Sequence, residues 1–378
     1  MVGQAILTER IDSPARRIDP VMAALLFVMV LVGLGVLWSA SWFRAEQLYG
    51  EPMRFLMRQI LWVLVGLVAM TIALFIPLEL LRRSLPMLVL VTIVVTVLTF
   101  IPGVSARYMG ARRWIVLFNV SFQPSELVKL TLVLYLAHIF SRRQGDFSDP
   151  LHTLVPPALV AALFAALILL QNDFSTAIFI VAITLALFFA AGVPYSWFIR
   201  MFVFVLPIAG IVLFAKEHRV RRIIAFLRPE SDPAGSGFQV LAARRALESG
   251  GFWGRGIGQG VRKLGGLPEA QSDFLFAVLG EELGFLGILC VLGLFLAFTI
   301  RGLQLAQRQD DWFRSLVVYG VTISIALQAF LNIAVVAGAV PSTGIPLPFF
   351  SSGGSSLVVT FVMVGLLFNA SGTGVPRV

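Results

Sequence analysis

The chain has 378 residues, of which 58% are hydrophobic and 13% charged, and its formal net charge is +9. With a mean hydropathy of +0.91, this composition excludes an ordinary water-soluble domain. The single cysteine, Cys290, excludes an internal disulfide framework and a cysteine-rich metal site.

Ten apolar runs are each long enough to cross the hydrocarbon of a bilayer as a helix, which takes roughly 20 residues. Because the runs are continuously apolar rather than alternating, they predict helices and not barrel strands. The first run is too long for a signal-peptide core, so we expect it to remain as a helix. The predicted spans are 21–43, 60–76, 86–102, 124–140, 153–171, 174–191, 195–215, 274–300, 315–340 and 354–370.

The sequence therefore predicts an all-α integral membrane protein with about ten transmembrane helices. One membrane domain, 21–370, is expected between two cytoplasmic tails, 1–20 and 371–378. The positive-inside rule supports this orientation, because the segments placed inside carry more arginines than the short outer loops. Those on the inside are Arg10, Arg16, Arg17, Arg82, Arg83, Arg142, Arg143, Arg200, Arg301, Arg308, Arg314 and Arg377, against Arg44, Arg54, Arg58, Arg107, Arg112 and Arg113 outside.

Between the seventh and eighth spans, 216–273 is predicted as a long polar loop on the outer side. It is rich in basic residues and contains the glycine-rich stretch 249–260, which matches neither a dinucleotide-binding nor a P-loop motif. Its cations indicate either a solvated loop facing lipid headgroups or an electropositive funnel for an anionic substrate. The basic residues are Lys216, Arg219, Arg221, Arg222, Arg228, Arg244, Arg245, Arg255, Arg262 and Lys263.

Asp273 is the last polar residue before the eighth span, and Glu269 precedes it by four positions. A carboxylate at a membrane edge tends to hold its proton and can act as a base toward a hydroxyl. A helix N-cap is the alternative for Asp273, and the sequence alone does not decide between the two.

Other ionisable residues lie inside or at the ends of apolar runs. Glu281 and Glu282 are in the eighth span, Glu126 and Lys129 open the fourth, and Asp173 lies between the fifth and sixth. Charges at such depths are costly and face a polar cavity or a partner. A structural ion pair is the simpler interpretation of Glu126 with Lys129, whereas a shared polar cavity open to the outer side would use all of them.

The segment 332–357 contains three prolines and several glycines, so it cannot be regular helix in lipid. We expect a re-entrant or cavity-lining loop buried in protein, although simple closure of the outer surface is the alternative.

Four blocks together resemble the SEDS family of bacterial cell-wall polymerases, which includes FtsW and RodA, over nearly the whole chain. A Lys-Leu-x-x-Leu-Pro-Glu-Ala pattern and Ser342-Thr-Gly344 are more similar to the division branch, FtsW, than to the elongation branch, RodA. The blocks are 110–115 with 122–129, 173–176, 267–273 with 280–284, and 346–349 with 351–356.

The resemblance implies a peptidoglycan glycosyltransferase that polymerises lipid II at the outer face of the bacterial cytoplasmic membrane with a class B penicillin-binding protein. In this family Asp273 matches the essential aspartate, and we expect it to be the base. Mg²⁺ or Mn²⁺ is an expected cofactor, because hard cations suit carboxylate and phosphate oxygens. The expected substrate-binding residues are Arg112, Arg113, Glu126, Lys129, Asp173, Lys263, Glu269, Ser355 and Ser356.

In this interpretation Arg112, Arg113 and Lys129 neutralise pyrophosphate, while Glu126 and Asp173 orient the lysine or share a divalent ion.

A transporter of lipid II or another amphiphile is a second hypothesis, since ten helices, buried charges and a broken loop also occur in transporters. Transport predicts polar residues near the bilayer midplane and on both faces. A scaffolding protein is a third, and it leaves Asp273 and the cationic loop unexplained.

Overall fold

The structure is a computed structural model that describes residues 18–108, 111–117, 120–143, 149–231, 235–264, 266–267 and 269–372. Within these ranges, the side chains of 106–108, 111–112, 117, 120, 150, 231 and 236 lie outside the description. The predicted tails therefore fall almost entirely outside it.

Twelve α-helices run through the described residues, and ten of them coincide with the predicted spans. Eight are long and apolar enough to cross a membrane; α6 is apolar but shorter, and α4 carries charges at both ends. The helices are α1 (Pro20–Tyr49), α2 (Arg54–Phe75), α3 (Leu78–Leu98), α4 (Pro124–Arg143), α5 (Pro150–Leu170), α6 (Phe174–Ala190), α7 (Tyr195–Phe214), α8 (Glu217–Leu227), α9 (Ser236–Gly250), α10 (Leu275–Gln307), α11 (Trp312–Val336) and α12 (Gly354–Ser371). The predicted helical membrane fold is confirmed.

The bundle is centred on α4, α11 and α12, whose side chains are mostly buried. Helices α2 and α12 touch almost backbone to backbone, because a Cβ on Gly365 would lie 2.3 Å from the carbonyl oxygen of Met70. Small residues at such crossings allow the van der Waals packing that holds helices together in lipid. By contrast, α7 buries no residue and presents a largely apolar surface outward.

A small antiparallel sheet departs from the predicted all-α fold. Its strands are β1 (Ser105–Tyr108), β2 (Ala111–Leu117) and β3 (Val120–Phe122), in the order β1-β2-β3. The run Trp114-Ile-Val116 is β-branched and aromatic, which favours strands. The sheet lies at the end of the bundle where α4 begins, beside α12.

The segment 216–273 is not the irregular loop expected from its polarity. It contains α8, α9 and two short 3₁₀ turns, Pro229–Ser231 and Arg262–Leu264. Val220, Ile223 and Leu227 recur at helical spacing within α8, and this period was present in the sequence. We call the end of the bundle that carries the sheet, α8, α9 and the segment 337–353 the site face.

Helix α10 is broken at Gly284, whose backbone has φ 66° and ψ −163°. Four backbone hydrogen bonds of 2.9–3.3 Å join the two sides of the break to the segment 251–256. They run from Arg255 to Glu281, Gly256 to Glu282, Phe285 to Gly251 and Leu286 to Phe252. The loop after α9 thus supplies the partners that the helix break would otherwise lack, which lipid cannot provide.

Candidate active site

A cavity of about 720 Å³ opens at the site face, between the sheet, α8 and the segment 337–353. Its walls combine cations, carboxylates and hydroxyl groups. They are formed by Arg113, Trp114, Gln123, Asn172, Lys216, His218, Arg222, Glu269, Ser272, Asp273, Thr343, Gly344, Pro346, Ser352, Gly353, Ser355 and Ser356.

Asp273 lies in this cavity on the turn that leads into α10. The turn is fastened to its surroundings by the backbone: Asn332 of α11 donates to the Asp273 carbonyl at 3.0 Å. Ser351 donates its hydroxyl to the Ser272 carbonyl at 2.5 Å. The Asp273 carboxylate caps nothing, because α10 has Phe274 at its N-cap and no side-chain cap bond. The structure thereby decides against the N-cap alternative.

The environment of Asp273 favours the protonated carboxyl group more than water does. Burial, and then the negative charge of Glu269, raise the pKa of Asp273 from 3.8 to about 6, although Arg222 and Arg113 act in the opposite direction. Gly344 lies against the carboxylate, since a Cβ there would stand 3.5 Å from Asp273 Oδ2. A carboxyl group with this pKa is ionised at neutral pH and still basic enough to accept a proton.

Cations surround the carboxylates of the cavity. Arg222 of α8 donates to the Ser342 carbonyl at 3.3 Å, and Lys216 is the N-cap residue of the same helix. Arg113 of β2 donates to the Asn172 carbonyl at 2.5 Å. Burial, and then the neighbouring arginines, lower the pKa of His218 below its ordinary value of 6.5, so its imidazole is neutral at pH 7.

Asp173 joins the cavity through Arg113. Its carboxylate is buried, caps the first turn of α6 by accepting from Thr176 N at 3.2 Å, and lies 3.6 Å from Arg113 Nη1. Asn172 before it has a left-handed backbone, φ 64°, a conformation that asparagine tolerates better than most residues. Arg112 is on the same strand as Arg113, but its side chain lies outside the described residues.

Glu126 and Lys129 form a buried ion pair of 2.7 Å behind the cavity wall. Lys129 also donates to Gln328 Oε1 at 2.9 Å, and Gln328 donates in turn to the carbonyl of Pro346, which lines the cavity. With 5% and 6% of their side chains exposed, the two charges support the wall rather than face it. The structural ion pair, the simpler of the two interpretations, describes this arrangement.

Lys263 lies away from the cavity, in contrast to its predicted contact with substrate. Its side chain is fully buried, 2.5 Å from Glu282 Oε1 and 2.9 Å from the Ser39 hydroxyl. The neighbouring Glu281 accepts from the backbone N–H groups of Val261 and Arg262. A buried, paired lysine of this kind secures the loop to α10 and is not available to a ligand.

Three further predicted residues lie in the cavity lining. Ser355 and Ser356 open α12 there, and the Ser355 hydroxyl accepts from Gln123 N at 3.4 Å. Glu269 lines the cavity beside Asp273. Sequence reasoning missed His218, Thr343 and the proximity of Arg222; the helical period of α8 was the available signal for Arg222.

No group of three His, Cys, Asp or Glu side chains is placed as metal ligands in the described part of the chain. Glu126 is paired with Lys129 and Asp173 with Arg113, so the two carboxylates do not form the shared ion site anticipated from the sequence. In the described part of the chain, these two carboxylates therefore do not fit a resident divalent ion.

Comparison with known proteins identifies the family. Residues 19–374 match the family model described as "Cell cycle protein", FTSW_RODA_SPOVE. A Geobacter sp. (strain M18) protein named "Probable peptidoglycan glycosyltransferase FtsW" is 36% identical, over 93% of this chain and 96% of that one. A Borreliella burgdorferi protein of the same name is 38% identical, over 92% and 94%.

Solved structures show the same fold. A chain from a peptidoglycan synthase complex, described for its "structural coordination of polymerization and crosslinking", superposes with a TM-score of 0.76 at 27% identity, covering 94% of this chain and 97% of that one. The rod shape determining protein RodA of Thermus thermophilus gives 0.70 at 25% identity, covering 94% and 96%. The chain therefore belongs to the FtsW, RodA and SpoVE family of multi-pass membrane proteins, as its motifs predicted.

Proposed function

We propose that this peptidoglycan glycosyltransferase polymerises lipid II into glycan strands at the site face, which lies on the extracytoplasmic side of the bacterial cytoplasmic membrane. The observation that carries the proposal is Asp273: a carboxylate with a pKa of about 6, in a cavity ringed by cations at the membrane border. Lipid II joins a disaccharide-pentapeptide to a lipid pyrophosphate, so its enzyme needs a base, cations and access from lipid.

In the proposed reaction, Asp273 accepts the proton of the acceptor sugar's 4-hydroxyl. The hydroxyl oxygen forms a bond to the anomeric carbon of the donor sugar, and the bond from that carbon to the pyrophosphate oxygen breaks. The pyrophosphate leaves on its lipid with the bonding electrons, and the configuration at the anomeric carbon inverts. A positioned general base of this kind is typically worth about 10²- to 10⁴-fold in rate.

The pyrophosphate is assigned to Arg113, Arg222 and Lys216, whose side chains line the cavity. Guanidinium groups bind phosphate oxygens through paired hydrogen bonds, which suits Arg113 and Arg222. Arg112 stays a prediction of the same kind. The assignment to Lys129 changes from direct contact to support of the wall, because its ammonium is buried against Glu126 and Gln328.

A divalent cation also stays a prediction. Mg²⁺ or Mn²⁺ would bind pyrophosphate oxygens, which are hard ligands. We expect a chelator to slow polymerisation and added Mg²⁺ or Mn²⁺ to restore it; an unaltered rate in the chelator would contradict a divalent requirement.

We place the chain in the division branch of the family and expect a class B penicillin-binding protein as its cross-linking partner. The pattern Lys263-Leu-Gly-Gly-Leu-Pro-Glu-Ala supports this, as do the FtsW relatives at 36% and 38% identity. The fold shared with a synthase complex that couples polymerization with crosslinking supports a partner of this type.

One observation favours transport as a second candidate. A cavity of about 600 Å³ at the opposite end of the bundle is also lined by charged residues, among them Arg82, Arg142 and Asp311. Between the two ends, however, the buried face of α4 is apolar at Leu132, Val133 and Leu136. That barrier supports chemistry at one face over passage across the membrane.

Reconstitution separates the two functions. The purified chain in liposomes, with and without a class B penicillin-binding protein, is given labelled lipid II, and the products are resolved on a gel. Polymerisation predicts a ladder of glycan strands that depends on the chain. Movement of lipid II between leaflets without any glycan product would instead establish the transporter.

A further inference from the structure

Glu269 lies in the cavity wall with a strained backbone, which its neighbours hold in place. Its backbone has φ 53°, a left-handed conformation that only two other non-glycine residues share among those described. The strain persists because the turn is fixed by its neighbours: the Glu269 carbonyl accepts from Ser272 N at 3.0 Å and from Phe274 N at 3.4 Å. Strain maintained in this way at a cavity wall is a sign of function.

The Glu269 carboxylate is held by three neighbouring side chains. Arg44, near the end of α1, lies 3.6 Å from Glu269 Oε1 and donates to Gln271 Oε1 at 3.3 Å. Gln271 and Ser272 both donate to Glu269 Oε2, at 3.4 and 3.0 Å. These contacts fix the direction of the carboxylate. Arg44 itself is absent from the cavity lining.

The charged and titratable groups around Asp273 lie on four elements. One is negative, on the turn of Asp273 itself; the others are the cations of β2 and α8, with the arginine of α1 behind the negative charge. They are Glu269, Arg113, Lys216, Arg222, the neutral His218, and Arg44. Besides Asp273 itself, Glu269 is the one acidic side chain in the described lining, while Asp173 pairs with Arg113 outside it.

We propose that Glu269, held by Arg44, is a positioning residue that maintains a fixed negative charge beside Asp273 and so strengthens Asp273 as the base for the acceptor hydroxyl. This inference rests on the proposed function. Without the charge, the surrounding arginines would stabilise the Asp273 carboxylate and weaken its pull on the proton. The same negative charge also keeps pyrophosphate from settling on the base, because it repels phosphate oxygens locally.

The two members of the pair act on Asp273 with opposite sign. Glu269→Gln removes a negative charge and so favours the ionised form of Asp273. Arg44→Gln removes a positive charge beside Glu269 and so favours the protonated form of Asp273. A merely structural role would not produce displacements in opposite directions.

The test is the pH dependence of lipid II polymerisation by the reconstituted chain with its partner. For the wild type the rate falls on the acid side with a midpoint set by Asp273. We expect Glu269→Gln to move that midpoint to lower pH by about one unit and Arg44→Gln to move it to higher pH. Glu248→Gln, an equal charge change at an exposed position of α9, is the matched control and leaves the midpoint in place.

The inference is overturned if either variant leaves the midpoint unmoved or if both move it the same way. Because Arg44 is outside the cavity lining, its variant gives a profile even where Glu269→Gln does not fold. Asp273→Asn separates this failure from that of the proposed function. If Asp273→Asn is inactive and the midpoints of the Glu269 and Arg44 variants do not move, only the role of Glu269 is wrong. If Asp273→Asn retains full activity, the base itself is misassigned.

Discussion

Asp273 shows how one carboxyl group can be tuned by its position at the edge of a membrane. Its side chain is buried from water but remains close to Arg113 and Arg222. Burial raises the pKa of Asp273 by more than these cations lower it. The result is a group whose pKa is about 6 instead of 3.8. A general base is most effective when its pKa lies just below the working pH, and this residue meets that condition.

The polymerisation rate should therefore follow the ionisation of Asp273. The active form is the carboxylate, so the rate is full above the pKa and falls as pH drops below about 6. An ordinary aspartate would keep its activity down to about pH 4. Initial rates between pH 4.5 and 8 at saturating lipid II measure this midpoint, and an acid limb near pH 4 would contradict the assigned environment.

Arg113 and Lys129 should differ when each is neutralised. Arg113→Gln removes a cavity cation, so we expect the apparent KM for lipid II to rise about tenfold, equivalent to one charge-assisted hydrogen bond of about 1.5 kcal/mol. A titration of the initial rate against lipid II concentration checks it. An unchanged KM would remove Arg113 from the pyrophosphate site.

Lys129→Met should act on stability instead, because it leaves Glu126 buried and unpaired. The expected loss in the free energy of unfolding is roughly 3–5 kcal/mol, and the double variant Glu126→Leu/Lys129→Met should lose less than the single one. Thermal unfolding in detergent provides the comparison. A single variant as stable as the wild type would show that the pair is not the buried ion pair described.

At the scale of elements, the break in α10 decides where several charges lie. The loop 251–264 reaches the helix only because Gly284 has a backbone that side chains disfavour, with Gly254 N 2.2 Å from where its Cβ would be. That contact brings Lys263 to Glu282 and holds the helix whose first turn follows Asp273. The loop, the helix break and the turn that carries Asp273 are therefore joined in one packed unit.

Gly284→Ala should destabilise this unit. The disfavoured backbone alone costs roughly 1–3 kcal/mol, and the clash with the loop adds to it. Gly293→Ala, on the same helix with open space around it, is the matched control and should be neutral or slightly stabilising. Thermal unfolding and polymerisation are measured on both; equal behaviour would show that the break does not matter.

The same helix shows what the sequence can and cannot predict. The spans are readable because the bilayer fixes the length of an apolar run. Asp273 can be identified from the sequence because a charged residue at the end of an apolar run indicates a structural or functional role. The burial of Lys263 cannot be predicted from the sequence, since it depends on the backbone dihedrals of Gly284 and on Ser39, more than two hundred positions away. Helices α8 and α9 were obscured by their polar composition, and with them the place of Arg222.

At the scale of the whole molecule, the chain is a helical bundle whose site face carries the proposed active site. The sheet, α8, α9 and 337–353 gather there, and the lining of its cavity comes from segments spread between Arg113 and Ser356. A site assembled from such distant segments requires the whole fold, so we expect no part of the chain to be active alone.

The orientation of this end is testable by cysteine labelling. In a Cys290→Ala background, Glu248→Cys places a thiol on α9 at the site face, and Arg308→Cys places one at the opposite end of α10. A membrane-impermeant maleimide added to intact cells should label the first and not the second, because we propose that the site face is extracytoplasmic. The reverse pattern would place the cavity in the cytoplasm, away from the growing wall.

The central claim is that Asp273 is the base of a sugar-joining reaction, and its most direct measurement is lipid II polymerisation by Asp273→Asn in liposomes with the partner protein. The amide keeps the shape of the side chain but cannot take up the proton. We expect the rate to fall by at least about 10²-fold while labelled lipid II still binds. Glycan strands made by this variant at the wild-type rate would contradict the account.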